Sequence, residues 1–265
     1  MTTAARQYWE DRHGRGASLD SVGWTGLGRA FNGWMYEVRR RIFLRVVPRF
    51  VTCTPQTRVL DVGSGTGFYL KLWQRLGAGR IEGSDLSERA VDWLRTEYPG
   101  IPMHVLDLGA EELSLEPESY DAISAMDMLF HILDDDAYRR ALRNLARLVR
   151  PEGRVILTEN MLDDRREEGP AQTSRSEREI VGWMAEAGLE PIASVPMFVL
   201  LNGPVDSTDP RLTRWWTLLT KLVSRNEAIG WTLGALLTPV ELAAVRRVRR
   251  GPSTKLLVCR RTGGA

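Results

Sequence analysis

The stretch from Arg58 to Gly67, read R-V-L-D-V-G-S-G-T-G, constrains the chain more than any other. Val59, Leu60 and Val62 form a short apolar run suited to a strand buried on both faces of a parallel sheet. The run stops at Gly63, Gly65 and Gly67, residues that let a backbone turn sharply and lie close against a ligand. Behind them, F-Y-L-K-L-W-Q-R-L repeats Leu70, Trp73 and Leu76 at helical spacing. Strand, glycine turn and helix make the opening half of a nucleotide-binding βαβ unit. The spacing G-x-G-x-G departs from the dinucleotide fingerprint G-x-G-x-x-G. Asp61, just ahead of the glycines, is a poor neighbour for a pyrophosphate and a good one for an ammonium group.

The next segments repeat the pattern of a strand ending in an acid. Arg80–Ser84 reads as a second strand followed by Asp85, at the separation from the glycines where a ribose-binding unit needs a carboxylate. The competing role for Asp85 is a helix cap before S-E-R-A-V-D-W-L-R, for which Ser87 is the better residue. A third strand, Ile101 to Leu106, ends at Asp107 and Leu108. S-Y-D-A-I-S-A-M, ending at Met126, is a fourth strand, followed by D-M-L-F-H-I-L-D-D-D. An amphipathic helix from Ala137 to Val149 and the turn P-E-G lead into a fifth strand ending at Asn160. Ligands of open α/β sheets bind outside the carboxyl ends of the strands, where Asp61, Asp85 and Asp107 fall.

From Arg58 to Asn160 these motifs resemble those of class I S-adenosylmethionine (SAM)-dependent methyltransferases of the small-molecule type. A-M-D-M-L-F-H-I is similar to the corresponding stretch of ubiquinone-type O-methyltransferases, which carry a second acid where this chain has Phe130. That departure weakens the case for a metal-assisted mechanism, and no metal site is expected. The resemblance implies a Rossmann-like α/β fold, a seven-stranded and mostly parallel doubly wound sheet, with SAM as cofactor. It implies cofactor contacts from Asp61, Gly63, Ser64, Gly65, Gly67, Asp85, Leu86, Asp107, Leu108 and Met126, with Leu86 against the adenine and Asp107 on its amino group. His131 is the expected general base, its alternative being a structural residue in the helix that follows the fourth strand. Tyr8, Trp9, Asp127 and Phe130 are expected on the acceptor side, and Phe68, Tyr69 and Phe130 as aromatic neighbours of the sulfonium. His13 is a second-choice base, and His104, alternating with apolar neighbours, a structural residue.

The flanks complete a single domain over residues 1–265. Residues 1–52 read as a helical cap, with Tyr8 and Trp9 on a short helix and a longer helix ending at Pro48 that lines up Trp34, Val38, Ile42 and Val46. This cap either packs on the sheet or covers the site as a lid, and the two are compatible. Residues 53–201 are the SAM-binding core, including a helix from Ser176 to Ala187 stopped by Gly188 and a sixth strand from Leu189 to Leu201. Thr254 to Arg260 fits an antiparallel last strand within 253–261. The helical insertion 202–252 between them carries Trp215, Trp216 and Trp231. Its surface is expected to pack on the sheet, or else to form a homodimer contact, a pocket wall or a membrane-surface face.

Composition narrows the partners. Cations and acids nearly balance at a formal charge of +2, which argues against nucleic acid. Cys53 and Cys259 show neither metal spacing nor a disulfide framework. The start M-T-T-A-A-R-Q-Y-W lacks a signal peptide's apolar core, and the run Ala228 to Leu237 is broken by Gly230 and Gly234. The expectation is therefore a cytoplasmic protein without a transmembrane segment. The expected activity is methyl transfer from SAM to a hydroxyl of a small molecule. Alternatives are N- or carboxyl-methylation, a non-catalytic SAM-binding partner subunit, and an NAD-dependent oxidoreductase, the last disfavoured by the glycine spacing.

Overall fold

The structure, a computed structural model, describes residues 3–14, 23–167 and 172–263. Two helices precede the sheet: α1 (Thr3–His13) and α2 (Gly28–Val46). Then come β1 (Arg58–Val62), α3 (Phe68–Leu76), β2 (Arg80–Asp85), α4 (Glu88–Glu97), β3 (Met103–Val105) and β4 (Tyr120–Ala125). They are followed by α5 (Asp135–Leu148), β5 (Val149–Glu159), α6 (Glu177–Glu186) and β6 (Leu189–Pro196). The chain continues through α7 (Pro210–Val223) and α8 (Glu227–Arg247) to β7 (Lys255–Arg261).

The seven strands lie in the order β3-β2-β1-β4-β5-β7-β6. Pairing is parallel from β3 to β5, and β7 runs antiparallel to both of its neighbours. Alternation along the strands divides the core in two. Val59, Ala122, Ile156 and Val258 face α2, α3 and α4, while Leu60, Ile123, Val155 and Leu257 face α5 and α6. Reversal of strand order at β1 and β4 opens the crevice where such sheets bind ligands.

Element types match the sequence reading, and several boundaries differ. β3 pairs over three residues instead of running from Ile101 to Leu106, because it is the sheet edge and begins after Pro102, which has no N–H to donate. β6 stops at Pro196, well short of Leu201. Beyond it the backbone N–H groups of Val199, Leu200 and Leu201 leave the ladder to donate to the buried carboxylate of Glu241 on α8. On α2, Val38, Ile42 and Val46 are buried, but Trp34 is only half-buried and meets Trp231 edge-on at 6.0 Å. Residues four apart on a helix drift by about 40° per step, so Trp34 lies about 120° around from Val46.

α8 also departs from expectation. It is 21 residues long and apolar enough by composition to cross a bilayer. Gly230 and Gly234 do not break it. They sit on its buried side, where a Cβ on Gly230 would meet Phe31 at 3.4 Å and one on Gly234 would overlap the Trp34 ring. The glycines let α8 dock closely on α2, which Glu227 caps by accepting from the N–H groups of Arg29 and Ala30 at 2.9 and 2.7 Å.

Candidate active site

The glycine turn is shaped by left-handed backbone at Gly63, Gly65 and Gly67, with φ of 71°, 54° and 72°. A Cβ at Gly63 would meet the Met128 side chain at 3.0 Å, and one at Gly67 would strike the Tyr98 ring at 2.5 Å. Ser64 ties the turn down, its N–H donating to the Ser84 carbonyl at 2.8 Å and its hydroxyl to the Asp61 carbonyl at 2.9 Å. Gly65 then donates its N–H to Asp85 Oδ2 at 2.9 Å. The other carboxylate oxygen of Asp85 accepts from Ser87 N–H at 3.0 Å, and the Ser87 hydroxyl caps α4. Asp85 thus joins the glycine turn to the end of β2, and each oxygen retains capacity for a further donor.

A cleft opens over this turn. Its walls include Gly63, Ser64, Gly65, Asp85, Leu86, Asp107, Leu108 and Met126, eight of the ten residues expected on the cofactor side. Phe68 and Tyr69 line it from α3. Gly67 stands behind the wall as the residue that starts α3. Asp61 is also behind it, buried, with Oδ1 accepting from the Ser124 hydroxyl, which in turn accepts from Trp73 Nε1 at 2.9 Å. Its Oδ2 is buried with no partner, and burial pushes the carboxyl pKa up to about 7 against the pull of Ser124. The carboxylate was expected in contact with a ligand; its position one layer beneath the turn follows from the alternation that points Asp61 into the sheet–helix layer.

α1 lies across the β2–α4 end of the cleft. Arg6 donates to the Leu86 carbonyl at 3.3 Å, and Glu10 accepts from Glu88 N–H at 2.7 Å. This fastening brings Trp9 and His13 into the cleft wall, and Trp9 packs edge-on against His131 at 4.8 Å. His13 therefore belongs to the cofactor side and not, as a second-choice base would, to the acceptor side. Both its ring nitrogens are buried without partners, and burial lowers its pKa against the opposing charge of Asp85.

A second chamber adjoins the first, lined by Tyr8, Arg12, Trp24, Arg39, Phe130, Asn160, Asn202 and Thr254 among others. Among the described residues, Asp127 and His131 are the two that line both spaces. Asp127 has φ of 55°, in the left-handed region that Asp tolerates better than most residues. Arg39 Nε donates to its Oδ2 at 2.7 Å, and the Thr158 hydroxyl donates to its Oδ1 at 3.1 Å. Burial pulls the Arg39 pKa down, but the Asp127 carboxylate together with Tyr36 and Tyr69 outweighs it and the net direction is upward. Arg39 is further packed between the rings of Tyr36 and Phe198, at 5.1 and 4.8 Å. Phe130 falls on the chamber side only, away from the position beside the cofactor that its place in the sequence suggests. His104 is structural, its ring 2.9 Å from Glu82.

Arg39, Trp24, Asn202 and Thr158 were not singled out in the sequence. Arg39 lies 88 residues from its partner, and nothing local marks it. Trp24 reaches the chamber wall because its Nε1 donates to Asn202 at 2.6 Å and its ring rests on Trp216 of α7 at 5.5 Å. The insertion thus supports the chamber from behind. Among the described residues no cluster of metal-ligating side chains occurs.

The strand order with its antiparallel seventh strand, the glycine turn after β1 and the carboxylate after β2 together define a class I SAM-dependent methyltransferase fold. Residues 59–153 match the family described as Methyltransferase domain. It is similar to the ubiquinone biosynthesis O-methyltransferase of Neisseria meningitidis serogroup C, 33% identical over 107 residues that cover 38% of this chain and 43% of the relative. The chain thus spans less than half the length of that curated relative. Magnesium protoporphyrin IX methyltransferase from Synechocystis PCC 6803, solved with bound SAM, superposes with a TM-score of 0.57 at 17% identity, covering 98% of this chain and 96% of that one. A SAM-dependent methyltransferase of Leishmania major gives 0.58 at 19% identity, covering 74% and 75%. At these identities the structural likeness establishes the fold.

The cleft fits the chemistry of SAM. The Tyr69 hydroxyl and both His13 nitrogens line it, buried without partners among the described residues, and offer partners for an amino group and for hydroxyls. Asp85 has lone pairs left for a ribose, and Gly63 and Gly65, lacking a Cβ, let a ligand lie close against the backbone of the turn.

Proposed function

We propose that this protein transfers a methyl group from SAM to a hydroxyl oxygen of a small molecule lodged in the second chamber. The observation that carries the reading is the seam: His131 and Asp127 line both the cofactor cleft and the chamber. An in-line displacement needs the acceptor and the cofactor to meet at one opening, with water excluded.

In this reading Asp85 holds the ribose, Leu86 and Leu108 flank the adenine, Asp107 faces its amino group, and Asp61, one layer beneath the turn, favours the ammonium through its charge without touching it. When bound, SAM supplies a methyl group on an already activated sulfonium. His131 removes the acceptor's hydroxyl proton, since the Asp127 carboxylate is committed to Arg39 and Thr158 and serves instead to hold the seam. Trp9, fastened through α1, covers His131 and keeps water from the seam. Tyr8, Trp24 and Phe130 give the chamber aromatic walls, and Arg12 and the Arg39–Asp127 pair give it polar ones. Those features favour a ring-bearing acceptor with polar substituents. The O-methyltransferase name of the Neisseria relative supports the oxygen acceptor.

The test is release of S-adenosylhomocysteine from SAM across a panel of phenols, hydroxylated aromatic acids, sugars, carboxylic acids and amines. Turnover confined to hydroxyl acceptors supports the reading. Turnover confined to amines or carboxylates, or none with SAM bound tightly, overturns it.

A further inference from the structure

The surface hairpin formed by α7 and α8 carries apolar side chains that the fold leaves in solvent. Trp231 is 58% exposed, Leu236 66%, Val240 52% and, on α7, Leu218 53%. On α8, Thr232, Leu236, Pro239 and Val240 face outward together, opposite the buried Gly230, Gly234, Thr238 and Glu241.

Charge is distributed unevenly around this face. From Asp209 to Arg247 the chain has six cations, Arg211, Arg214, Lys221, Arg225, Arg246 and Arg247, against three acids. All three acids are turned onto backbone N–H groups: Asp209 on Arg211, Glu227 on Arg29 and Ala30, Glu241 on Val199 through Leu201. None of the six cations has a carboxylate within ion-pair distance among the described residues. Arg246 and Arg49 both approach Arg45, and burial together with these two neighbours lowers the Arg45 pKa. The outward face of the hairpin is therefore apolar at its centre, with unneutralised positive charge at both ends.

We infer that the α7–α8 hairpin docks the protein on an anionic lipid surface, with α8 lying in the plane of the interface. An exposed helix face with aromatic and aliphatic residues at its centre and arginines at its margins binds in this way through buried apolar area and attraction to acidic headgroups. α8 is long enough to span a bilayer, but the fold holds it in place: Glu241 is buried in three hydrogen bonds and Gly234 lies against Trp34. Lying on the surface exposes the outward face to lipid without disturbing those contacts. A second copy of the chain would bring two arginine-rich margins together, which like-charge repulsion opposes.

The experiment is co-sedimentation of the full chain with vesicles of phosphatidylcholine alone and of phosphatidylcholine with phosphatidylglycerol. Binding at least tenfold tighter to the anionic vesicles is expected, weakening as salt rises. Leu236→Asp with Val240→Asp should reduce it at least tenfold, and so should Arg246→Glu with Arg247→Glu, while SAM affinity stays unchanged as evidence of folding. Failure of the wild type to bind anionic vesicles would overturn the inference, as would binding undiminished in both variants. A wild-type dimer that becomes monomeric on Leu236→Asp would overturn it in favour of a second copy.

Discussion

Replacing Asp61 by asparagine should separate stability from cofactor binding. Asp61 is buried, with one oxygen unpartnered, and burial lifts its pKa from 3.8 to about 7. The sign follows from linkage. A carboxyl whose folded pKa is raised binds its proton more tightly in the native state. Its stabilising contribution is complete below pH 3.8 and is lost as pH rises through about 7. At about 1.36 kcal/mol per pKa unit the full loss is about 4 kcal/mol. Between pH 5 and pH 8, the part accessible to experiment is on the order of 3 kcal/mol. Asparagine carries no charge to bury, so Asp61→Asn should escape this loss. Guanidinium unfolding of the ligand-free proteins at both pH values measures it. The stability of the variant minus that of wild type should rise by about 2–3 kcal/mol from pH 5 to pH 8. Glu159, lifted by burial to about 8, affects both proteins alike and cancels in the difference. SAM affinity of the variant should fall at least tenfold, because the negative charge beneath the turn that favours the ammonium is gone. An unchanged stability difference across the two pH values would refute the argument, as would a stabilised variant that still binds SAM normally.

Four further outcomes follow from the site. Asp85→Ala should weaken SAM binding by about 1–3 kcal/mol in calorimetry, the cost of unpairing buried polar groups, and unchanged affinity would remove Asp85 from the ribose role. Gly65→Val should abolish SAM binding by combining a side chain with φ of 54°, and a normal isotherm would take the turn out of the site. Arg39→Met should cost about 3 kcal/mol of stability by leaving the Asp127 charge without its partner, measured by urea unfolding; a change below 1 kcal/mol would show that Thr158 suffices. His131→Ala should lower turnover about 100-fold while sparing SAM affinity, and undiminished turnover would return His131 to a structural role.

What was legible in the sequence was what local chemistry dictates. Glycine spacing, apolar runs and strand-end acids placed β1, β2, β4 and β5, and eight of the ten residues expected to hold the cofactor line the cleft. Ser87 was recognisable as the α4 cap because capping is a property of a few adjacent residues. Hidden from the sequence was whatever depends on depth or on distant partners. Asp61 reads as a ligand contact, yet strand alternation buries it beneath the turn. Arg39 reads as one of many helical arginines, and only the folding of α2 over the sheet brings it to Asp127. His13 reads as part of a glycine-rich cap, and the docking of α1 on the β2–α4 turn turns it toward Asp85. Gly230 and Gly234 read as interruptions in an apolar run, whereas they are the close-packing face of a continuous helix, because a glycine's cost in a helix is small against the burial gained by close approach. The acids of α8 look like solvated charges until Glu227 and Glu241 are seen capping distant backbone.

In the proposed reaction a methyl group passes from the cleft to an acceptor hydroxyl at the seam formed by His131 and Asp127. Single-turnover transfer of a labelled methyl group from SAM to a hydroxyl acceptor, compared between wild type and His131→Ala at equal SAM occupancy, tests it most directly. The account predicts label on the acceptor oxygen, a rate about 100-fold lower in the variant, and recovery of part of that loss as pH rises and the acceptor ionises unaided. Label on a nitrogen or carboxylate, or equal rates in the two proteins across the pH range, would contradict it.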